Sequence, residues 1–351
     1  MRLLVLGGTL FLSRAVAAEA VARGHDVTCA ARGESGPVPD GARHVVLDRA
    51  APDWSALGSG EWDSVVDVGR KPSWVSGALD ALADRVPHWV FVSSISVYSD
   101  HATPGGSQDK LPLLEPITED VEQDTPDRYG ASKVGCEQLV QSRATEWLVV
   151  RPGLIVGPGD PSGRFSYWPE RLADGGDVLA PESPDRPTQV IDVRDLAGWI
   201  VTCAEQRQSG VYDATGHVTG LGALLDEIAR QVGGGAELVW ADAAFLAEHD
   251  VRHWAGPRSI PLWVPEEGIG LATHDVSAAF AAGLTTRPIA ETAADTLAWL
   301  RGDPDAARTG LTRAEEQDVL DGWHAAGPPS PRGVPADGGP GVVRDAPGRL
   351  R

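Results

Sequence analysis

Short apolar runs alternate with helical patterns over the first 160 residues, and this alternation constrains the fold more than any other feature. The apolar runs cover residues 3–6, 26–30, 44–47, 64–68, 89–92 and 147–150. Helical spacing of apolar residues covers 10–23, 73–85 and 127–144. A β-α-β succession of this kind predicts a parallel sheet with helices on both faces and right-handed crossovers. We therefore expect an α/β fold with a doubly wound parallel sheet.

The pattern loosens after residue 160, which indicates a second unit. A strand at 190–192, a helix at 193–205 and helices at 288–300 and 312–325 are expected there. We assign 1–160 to a first domain, to which 188–210 returns. A smaller mixed α/β C-terminal domain is assigned to 161–187 and 211–326. The Pro- and Gly-rich tail, 327–351, has few large apolar residues and is expected to be disordered.

Charge and cysteine content exclude several classes of protein. Thirty basic and fifty acidic residues give a formal charge of −20, which disfavours nucleic acid and anionic membranes as partners. The three cysteines, Cys29, Cys136 and Cys203, form no CxxC motif. We therefore expect neither a disulfide framework nor a metal site. We expect a reducing, cytoplasmic location. The apolar start, 1–6, is too short for the apolar region of a signal peptide.

Gly7, Gly8 and Thr9 lie where the first strand ends and the first helix begins. The unpaired N–H groups and positive dipole of a helix N-terminus suit a pyrophosphate, and glycine lets the backbone approach it. The alternative is a tight turn that simply needs glycine. Leu10 and Ser13 occupy the second and third glycine positions of G-x-x-G-x-x-G. Ser13 is small enough for close packing, whereas Leu10 is a real departure.

The end of the second strand bears on the choice between NADP and NAD. An acid that binds the ribose hydroxyls of NAD is expected there, but the sequence reads Ala30-Ala31-Arg32. The Arg32 guanidinium matches the geometry of a 2′-phosphate, which favours NADP, with NAD as the alternative cofactor. Arg32 could otherwise be a solvated loop arginine. Asp48, which ends the third strand, is a candidate acceptor for the adenine amino group or else a helix N-cap.

Tyr129 and Lys133 form the sharpest chemical signal, because a spacing of four places both side chains on one helix face. A neighbouring ammonium favours phenolate, so Tyr129 is a candidate acid–base for a substrate hydroxyl or carbonyl. Lys133 would also hold the nicotinamide ribose. Ser94, at the end of the fifth strand, is the candidate that hydrogen-bonds the substrate oxygen, with Ser93 and Ser96 as competitors. The alternative is an exposed Tyr/Lys pair that matches by chance.

These motifs together resemble the extended or atypical short-chain dehydrogenase/reductases, in the NAD-dependent epimerase/dehydratase family. Residues 7–12 resemble GGTGFIG, 92–98 resemble SSxxVYG, Tyr129 and Lys133 match YxxxK, and Arg151-Pro152-Gly153 with Gly157-Pro158 resembles RPxxxxGP. The resemblance implies cofactor contacts at Gly7, Gly8, Thr9, Leu10, Phe11, Leu12, Lys133 and Pro152. It implies a Rossmann-type dinucleotide-binding domain over 1–160, a catalytic set of Ser94, Tyr129 and Lys133, and a smaller substrate-binding domain that closes over the substrate. It covers about residues 1–300.

The segment after the Gly157-Pro158 turn is where such a family binds its substrate. Arg164, Tyr167 and Trp168 are candidate substrate residues there, and Ser96 is a fourth. The alternative is a helix that packs its aromatic face into the second domain. His249 and His253 have a metal-compatible spacing, but chance explains it better and no metal is expected. Glu315-Glu316 is interpreted as a solvated helix face.

The sequence thus predicts an NADP(H)-dependent oxidoreductase or epimerase that acts on a hydroxyl or carbonyl of a small polar, sugar-like or secondary-metabolite substrate. A non-catalytic NAD(P)-binding regulatory protein is the alternative, and an RNA-binding relative is a third hypothesis that the charge disfavours. By analogy with the family, the helix of Tyr129 is a candidate homodimer surface.

Overall fold

The computed structural model describes residues 1–123 and 125–326, so the predicted disordered tail lies outside the described residues. Its strands are β1 Arg2–Leu6, β2 Asp26–Ala31, β3 Arg43–Val46, β4 Ser64–Asp67, β5 His88–Val92, β6 Glu146–Pro152, β7 Leu154–Val156, β8 Gly176–Pro181, β9 Pro187–Thr188, β10 Val190–Asp192, β11 Gly210–Ala214, β12 Thr219–Gly220, β13 Ala236–Ala241, β14 Arg252–Trp254 and β15 Ser259–Pro261. Its helices are α1 Phe11–Ala22, α2 Pro72–Leu82, α3 Pro126–Arg143, α4 Tyr167–Asp174, α5 Val193–Gln206, α6 Leu221–Val232, α7 Ala243–Glu248, α8 Ser277–Ala281, α9 Ile289–Gly302 and α10 Arg313–Ala326.

A seven-stranded sheet forms the centre of the first unit. Its strand order is β11-β6-β5-β4-β1-β2-β3, and every neighbouring pair is parallel. This confirms the predicted Rossmann-type fold. The order reverses direction between β1 and β4, so a crevice opens beyond their carboxyl ends, where such sheets bind ligands.

Apolar side chains cover both faces of this sheet, which explains why its central strands read as continuous apolar runs. On one face α1 and α5 pack against β1 and β5, with Val16, Leu196 and Ile200 fully buried. On the other face α2 packs with Leu79 and Leu82 against Trp89. The crevice at the strand ends is thus held between two rigid layers.

A second apolar core joins β8, β13, α4, α6, α9 and α10. Its largest buried side chains include Phe165, Trp168 and Trp263. The predicted boundary at residue 211 differs from the structure, because residues 210–214 form β11 and pair with β6 in the central sheet. The smaller unit therefore resumes after β11. Among the described residues, no helix combines the length and apolar character needed to cross a membrane.

The prediction of a solvated Glu315-Glu316 pair was wrong for one of the two residues. Glu316 is 1% exposed and forms an ion pair with the buried Arg171 of α4. Its second oxygen accepts a hydrogen bond from the backbone of Leu179 at 3.0 Å. Glu315 instead accepts from Thr312 at the start of α10. Helical periodicity could not reveal this, because the partner lies about 145 residues away in sequence.

We expect Glu316→Gln to lower the free energy of unfolding by about 3 kcal/mol, because it leaves the buried charge of Arg171 without its counter-ion. Glu315→Gln keeps the helix-capping contact and should change stability by about 0.5 kcal/mol or less. Urea unfolding of both variants, followed by circular dichroism, makes the comparison. Equal losses for the two variants would contradict the assigned burial.

Candidate active site

The glycine turn after β1 adopts a backbone that only glycine accommodates without strain. Gly7 and Gly8 have φ angles of +140° and +104°. A Cβ on Gly8 would lie 2.5 Å from the Sγ of Cys29 on β2, so the turn packs directly on the neighbouring strand. The first N–H groups of α1 follow this turn and have no helical partner, which creates a concave site for an anion.

The two departures from the glycine pattern have different consequences. The Ser13 hydroxyl accepts a hydrogen bond from the Gly8 N–H at 3.0 Å and donates to the Leu10 carbonyl at 2.8 Å. It therefore ties the turn to α1, which a third glycine could not do. Leu10 has an extended φ of −126° that any residue adopts, and its side chain is 54% exposed. The strain falls instead on Phe11, whose φ is +30°.

An open cleft of about 720 Å³ lies at the carboxyl ends of β1, β2, β3 and β4. Its lining residues are Leu6, Gly7, Thr9, Leu10, Ser13, Ala30, Ala31, Arg32, Gly33, Glu34, Ser35, Leu47, Asp48, Arg49, Val68, Gly69 and Trp74. The cleft therefore brings together predicted cofactor residues from three segments of the chain. Leu12 differs, because its side chain is buried in the core under α1.

Arg32 and Asp48 both line this cleft. Arg32 is exposed and pairs with Glu34 at 3.1 Å, a surface contact that costs little to break. Asp48 accepts a hydrogen bond from the Ala50 N–H at 2.9 Å and so shapes the turn after β3. That bond uses one carboxylate oxygen, and a carboxylate has several acceptor sites, so Asp48 can serve the turn and a ligand together.

The sequence reasoning missed Arg49, which lies under the cleft. Its guanidinium forms a bidentate pair with Asp67, at 2.5 and 3.0 Å, and donates to the Trp74 carbonyl. Asp67 is fully buried at the end of β4, where its carboxylate also accepts from the Gly69 N–H at 2.7 Å. This buried pair fixes the loop after β4. The only signal in the sequence is a charged residue that closes an apolar strand.

The start of α3 places Tyr129 beside Ser94. Thr125 caps this helix by accepting a hydrogen bond from the Arg128 N–H, and Pro126 follows at its first position. A Cβ on Gly130 would lie 1.8 Å from the Ser96 carbonyl oxygen, so the glycine lets α3 approach the end of β5 closely. The Ser94 hydroxyl donates to the Ser96 hydroxyl at 3.0 Å. Burial raises the pKa of the Tyr129 phenol, and the neighbouring Ser94 hydroxyl opposes that effect.

Lys133 lies one turn further along α3 and is 1% exposed. Its ammonium donates to the Gly69 carbonyl at 2.8 Å and to the Val92 carbonyl at 2.5 Å, so it joins the ends of β4 and β5. The ammonium also lies over the Phe91 ring, 4.2 Å from its centroid. Burial lowers the pKa of Lys133 to about 8. Lys133 thus lies on the helix that carries Tyr129 and binds the strand end that precedes Ser94, and its bond to Gly69 links it to the cleft.

Arg70 is a further residue that the sequence reasoning missed. It directly follows Gly69, is exposed, and its guanidinium lies 5.3 Å from the centroid of the Tyr129 ring. Burial raises the pKa of Tyr129, and the positive charge of Arg70 opposes that effect. No helical spacing links residues 70 and 129, so only the folded structure shows the contact.

A buried polar network underlies the same strand ends. Tyr98 donates to Asp213 at 2.5 Å and accepts from Arg151 at 2.9 Å, while Arg151 forms a bidentate pair with Glu137 of α3. His274, from the smaller unit, lies 3.2 Å from Asp213. Pro152, a predicted cofactor residue, follows Arg151 and ends β6 in the central sheet. The network fixes α3 and β6 relative to the smaller unit.

Two of the four candidate substrate residues do not line an open site. Trp168 is fully buried and donates to the Pro261 carbonyl at 3.0 Å, and Tyr167 is 6% exposed within the same core. Their aromatic faces pack the smaller unit, as the alternative interpretation held. Arg164 is half-buried, with its guanidinium 4.7 Å from the Trp254 ring centroid, and Ser96 contacts Ser94. These two remain candidates.

The histidine pair at 249 and 253 does not form a metal site. His249 packs on the Phe245 ring, whereas His253 packs on the Trp263 ring. Within residues 1–123 and 125–326, no group of three or more metal-binding side chains comes together.

The fold and the glycine turn define a protein of the Rossmann class, the fold that NAD-binding proteins use. Residues 77–215 match the family described as the NAD dependent epimerase/dehydratase family. The predicted resemblance to that family is therefore confirmed over residues 77–215.

Known proteins of similar sequence and structure were also found. A chloroplast stem-loop binding protein of 41 kDa from Arabidopsis thaliana is 28% identical over 214 residues, which is 56% of this chain and 53% of that protein. The chain thus spans about half the length of this relative. A UDP-N-acetylglucosamine 4-epimerase from Bacillus cereus has a TM-score of 0.62 at 17% identity, covering 88% of this chain and 99% of that one. A UDP-glucose 4-epimerase from Thermus thermophilus, solved with NAD, has a TM-score of 0.58 at 18% identity, covering 86% and 99%.

Proposed function

We propose that this protein is an NAD(P)-dependent oxidoreductase or epimerase that transfers hydride at a hydroxyl or carbonyl carbon of a small polar substrate. The observation that carries the proposal is the close approach of the start of α3, which bears Tyr129, to the segment of Ser94 and Ser96 after β5. Gly69, which lines the cleft, is bound by Lys133 of the same helix. A regulatory dinucleotide-binding protein would need the cleft but not the pair of Tyr129 and Ser94.

The residues of the cleft fit a dinucleotide. Gly7, Thr9 and Leu10 line the cleft at the start of α1, where a helix offers unpaired N–H groups to a pyrophosphate. A Cβ on Gly7 or Gly8 would meet the Ser13 or Cys29 side chain, so this turn needs both glycines. Asp48 would bind the adenine, Arg32 the adenosine ribose or its phosphate, and Lys133 with Pro152 would lie at the nicotinamide end. The Leu10 side chain lies at the edge of the cleft. It does not block the glycine turn, because it is exposed to solvent. A bound nicotinamide would accept or return a hydride.

The chain's own residues would handle the oxygen and its proton. The Ser94 hydroxyl would hydrogen-bond the substrate oxygen and orient it towards Tyr129. Tyr129 would take the proton of a substrate hydroxyl, or give its proton to a carbonyl oxygen. Lys133, by holding the Gly69 and Val92 carbonyls, would keep the ends of β4 and β5 in register with α3.

The substrate class is a sugar-like or secondary-metabolite molecule with a hydroxyl or carbonyl group. Two structural neighbours are epimerases of UDP-sugars, which supports a polar ring as substrate. Arg164 would contribute a guanidinium that has an aromatic ring beneath it. Incubation with a panel of nucleotide sugars and small ketones tests the proposal, with absorbance at about 340 nm for net redox of the nicotinamide and NMR for isomerised products. If the protein binds its dinucleotide but gives neither signal, the result would favour the regulatory alternative.

We further propose that NADP is preferred to NAD, because Arg32 is the cation at the end of β2 where NAD enzymes use an acid. Structural neighbours solved with NAD support a dinucleotide and leave this preference to experiment. We expect Arg32→Gln to weaken NADP binding about 10- to 100-fold while NAD binding changes little, since a charged hydrogen bond is worth about 1.5–3 kcal/mol. Isothermal titration calorimetry measures both affinities.

The matched control for this prediction is Arg230→Gln, which removes the same charge from an exposed helix site outside the cleft. It should leave both affinities unchanged. A ratio of NADP to NAD affinity that is the same in Arg32→Gln and in the unmodified protein would overturn the assignment.

Binding of an RNA stem-loop is a second candidate function, favoured by the name of the Arabidopsis thaliana relative. The excess of acidic over basic residues opposes it, because RNA affinity depends on positive charge that neutralises phosphates. A fluorescent stem-loop RNA distinguishes the two. Affinity that falls steeply with added salt would support RNA binding, and no binding at low salt would exclude it.

We also keep a cytoplasmic location and a homodimer through α3 as proposals. Cys29, Cys136 and Cys203 are buried and unpaired, which a reducing compartment would preserve. Light scattering of the purified protein measures the oligomeric state.

A further inference from the structure

The ammonium of Lys133 is already engaged with the backbone. It donates to the carbonyls of Gly69 and Val92 and lies over the Phe91 ring, so its nearest partners are strand ends rather than the phenol of Tyr129. Because its pKa is lowered to about 8, the Lys133 ammonium would lose its charge in mildly alkaline solution. Lys133 therefore has a structural role at the ends of β4 and β5, besides any electrostatic effect on Tyr129.

The guanidinium of Arg70 is the cation that faces Tyr129 directly. It lies 5.3 Å from the centroid of the tyrosine ring, and among the ion pairs of the described residues none involves Arg70. An arginine stays charged at all accessible pH values, and an aromatic face attracts a cation. The phenolate form, with its full negative charge, would be attracted more strongly than the neutral phenol.

The backbone of Arg70 is held by three separate elements. Lys133 of α3 binds the preceding carbonyl, that of Gly69, and the Gln123 side chain donates to the Arg70 carbonyl at 2.5 Å. A Cβ on Gly69 would lie 2.9 Å from Asp67 and 3.0 Å from Arg49, so this residue is tightly enclosed. The backbone position from which the Arg70 side chain reaches Tyr129 is therefore fixed by the fold.

We propose that Arg70 supplies a positive charge that favours the phenolate of Tyr129, in addition to Lys133, which also holds the strand end. Arg70 directly follows Gly69, whose carbonyl Lys133 binds. Arg70 is thus a positioning residue that acts through Tyr129. This inference rests on the proposed function for its catalytic meaning, but its electrostatic content can be tested without any substrate.

The other groups around Tyr129 are few and differ in kind. Ser94, at the end of β5, favours the phenolate by hydrogen bonding, whereas Cys136, two turns along α3, acts in the opposite sense. Neither carries a permanent charge. Arg70 is therefore the group whose removal should change the phenol most without altering the helix.

The test measures ionisation of Tyr129 by ¹⁹F NMR in protein made with difluorotyrosine, whose more acidic phenol brings the midpoint into range. The chain has four tyrosines, and the Tyr129→Phe variant identifies the resonance of interest. We expect Arg70→Gln and Arg70→Met to raise the midpoint of Tyr129 by about one pH unit. Arg14→Gln, at an exposed position on α1, should leave it unchanged. Folding of each variant is verified by circular dichroism.

A midpoint that moves by less than about 0.2 pH unit in both Arg70 variants would overturn the assignment. Even with the dielectric constant of water, a unit charge at about this distance shifts a pKa by about half a unit. The two proposals fail separately. A shifted midpoint with no turnover on any substrate would leave the role of Arg70 intact and count against the enzyme. Turnover with an unshifted midpoint would support the enzyme and count against the role of Arg70.

Discussion

Replacement of Tyr129 by phenylalanine is expected to lower turnover about 10²- to 10⁴-fold and to leave dinucleotide affinity within about twofold. The variant removes one oxygen atom, and with it the proton transfer that the proposed reaction needs. The glycine turn and the cleft that bind the cofactor are formed at the ends of β1, β2, β3 and β4 and do not include this side chain. Turnover of the best substrate of the panel and calorimetric titration of the dinucleotide provide the two measurements.

Tyr212→Phe is the matched control, because Tyr212 is a half-buried tyrosine on β11 whose hydroxyl bonds Gln208 outside the cleft. It should retain full turnover. Equal turnover in Tyr129→Phe and the unmodified protein would remove Tyr129 from the chemistry, whatever the dinucleotide affinity.

Replacement of Gly130 by alanine is the second change with a large expected effect. The new Cβ would lie 1.8 Å from the Ser96 carbonyl oxygen, so α3 or the end of β5 must move. Because a misplacement of about 1 Å can cost about 10²-fold in rate, we expect a loss of turnover of that order. Overpacking should also lower the free energy of unfolding by about 1–3 kcal/mol. Steady-state kinetics and urea unfolding measure both effects.

Gly77→Ala is the control for helix propensity, since Gly77 lies within α2 and a Cβ there would meet nothing within 4 Å. It should stabilise the protein by about 1 kcal/mol, the usual gain when alanine replaces a helical glycine. A Gly130→Ala variant as stable and active as the unmodified protein would show that α3 does not need the close approach.

The sheet and the glycine turn could be predicted from the sequence because both are local signals. Each buried parallel strand is a short apolar run, and Gly7 and Gly8 stand at a strand end whatever the rest of the chain does. Tyr129 and Lys133 share a helix face for the same reason. The end of β5, where Ser94 lies, also approaches the start of α3, whereas the catalytic role of the three residues stays a prediction.

The contacts that adjust the site could not be predicted, because they join residues far apart in sequence. Arg70 meets Tyr129 only after β4 and α3 have packed, and Glu316 meets Arg171 across the second core. The pattern around Trp168 is compatible with a sugar-binding ring, yet this side chain fills a core that no local pattern outlines. Composition gives the number of aromatic residues and arginines, whereas tertiary packing decides which of them face a ligand.

A crystal structure of the protein with NADP bound is the most direct test of the central claim. We predict the pyrophosphate at the N–H groups that follow Gly7 and Gly8, and the nicotinamide ring beside Ser94 and Tyr129. A dinucleotide bound elsewhere, or one in the cleft with its nicotinamide directed away from Tyr129, would contradict the proposed chemistry.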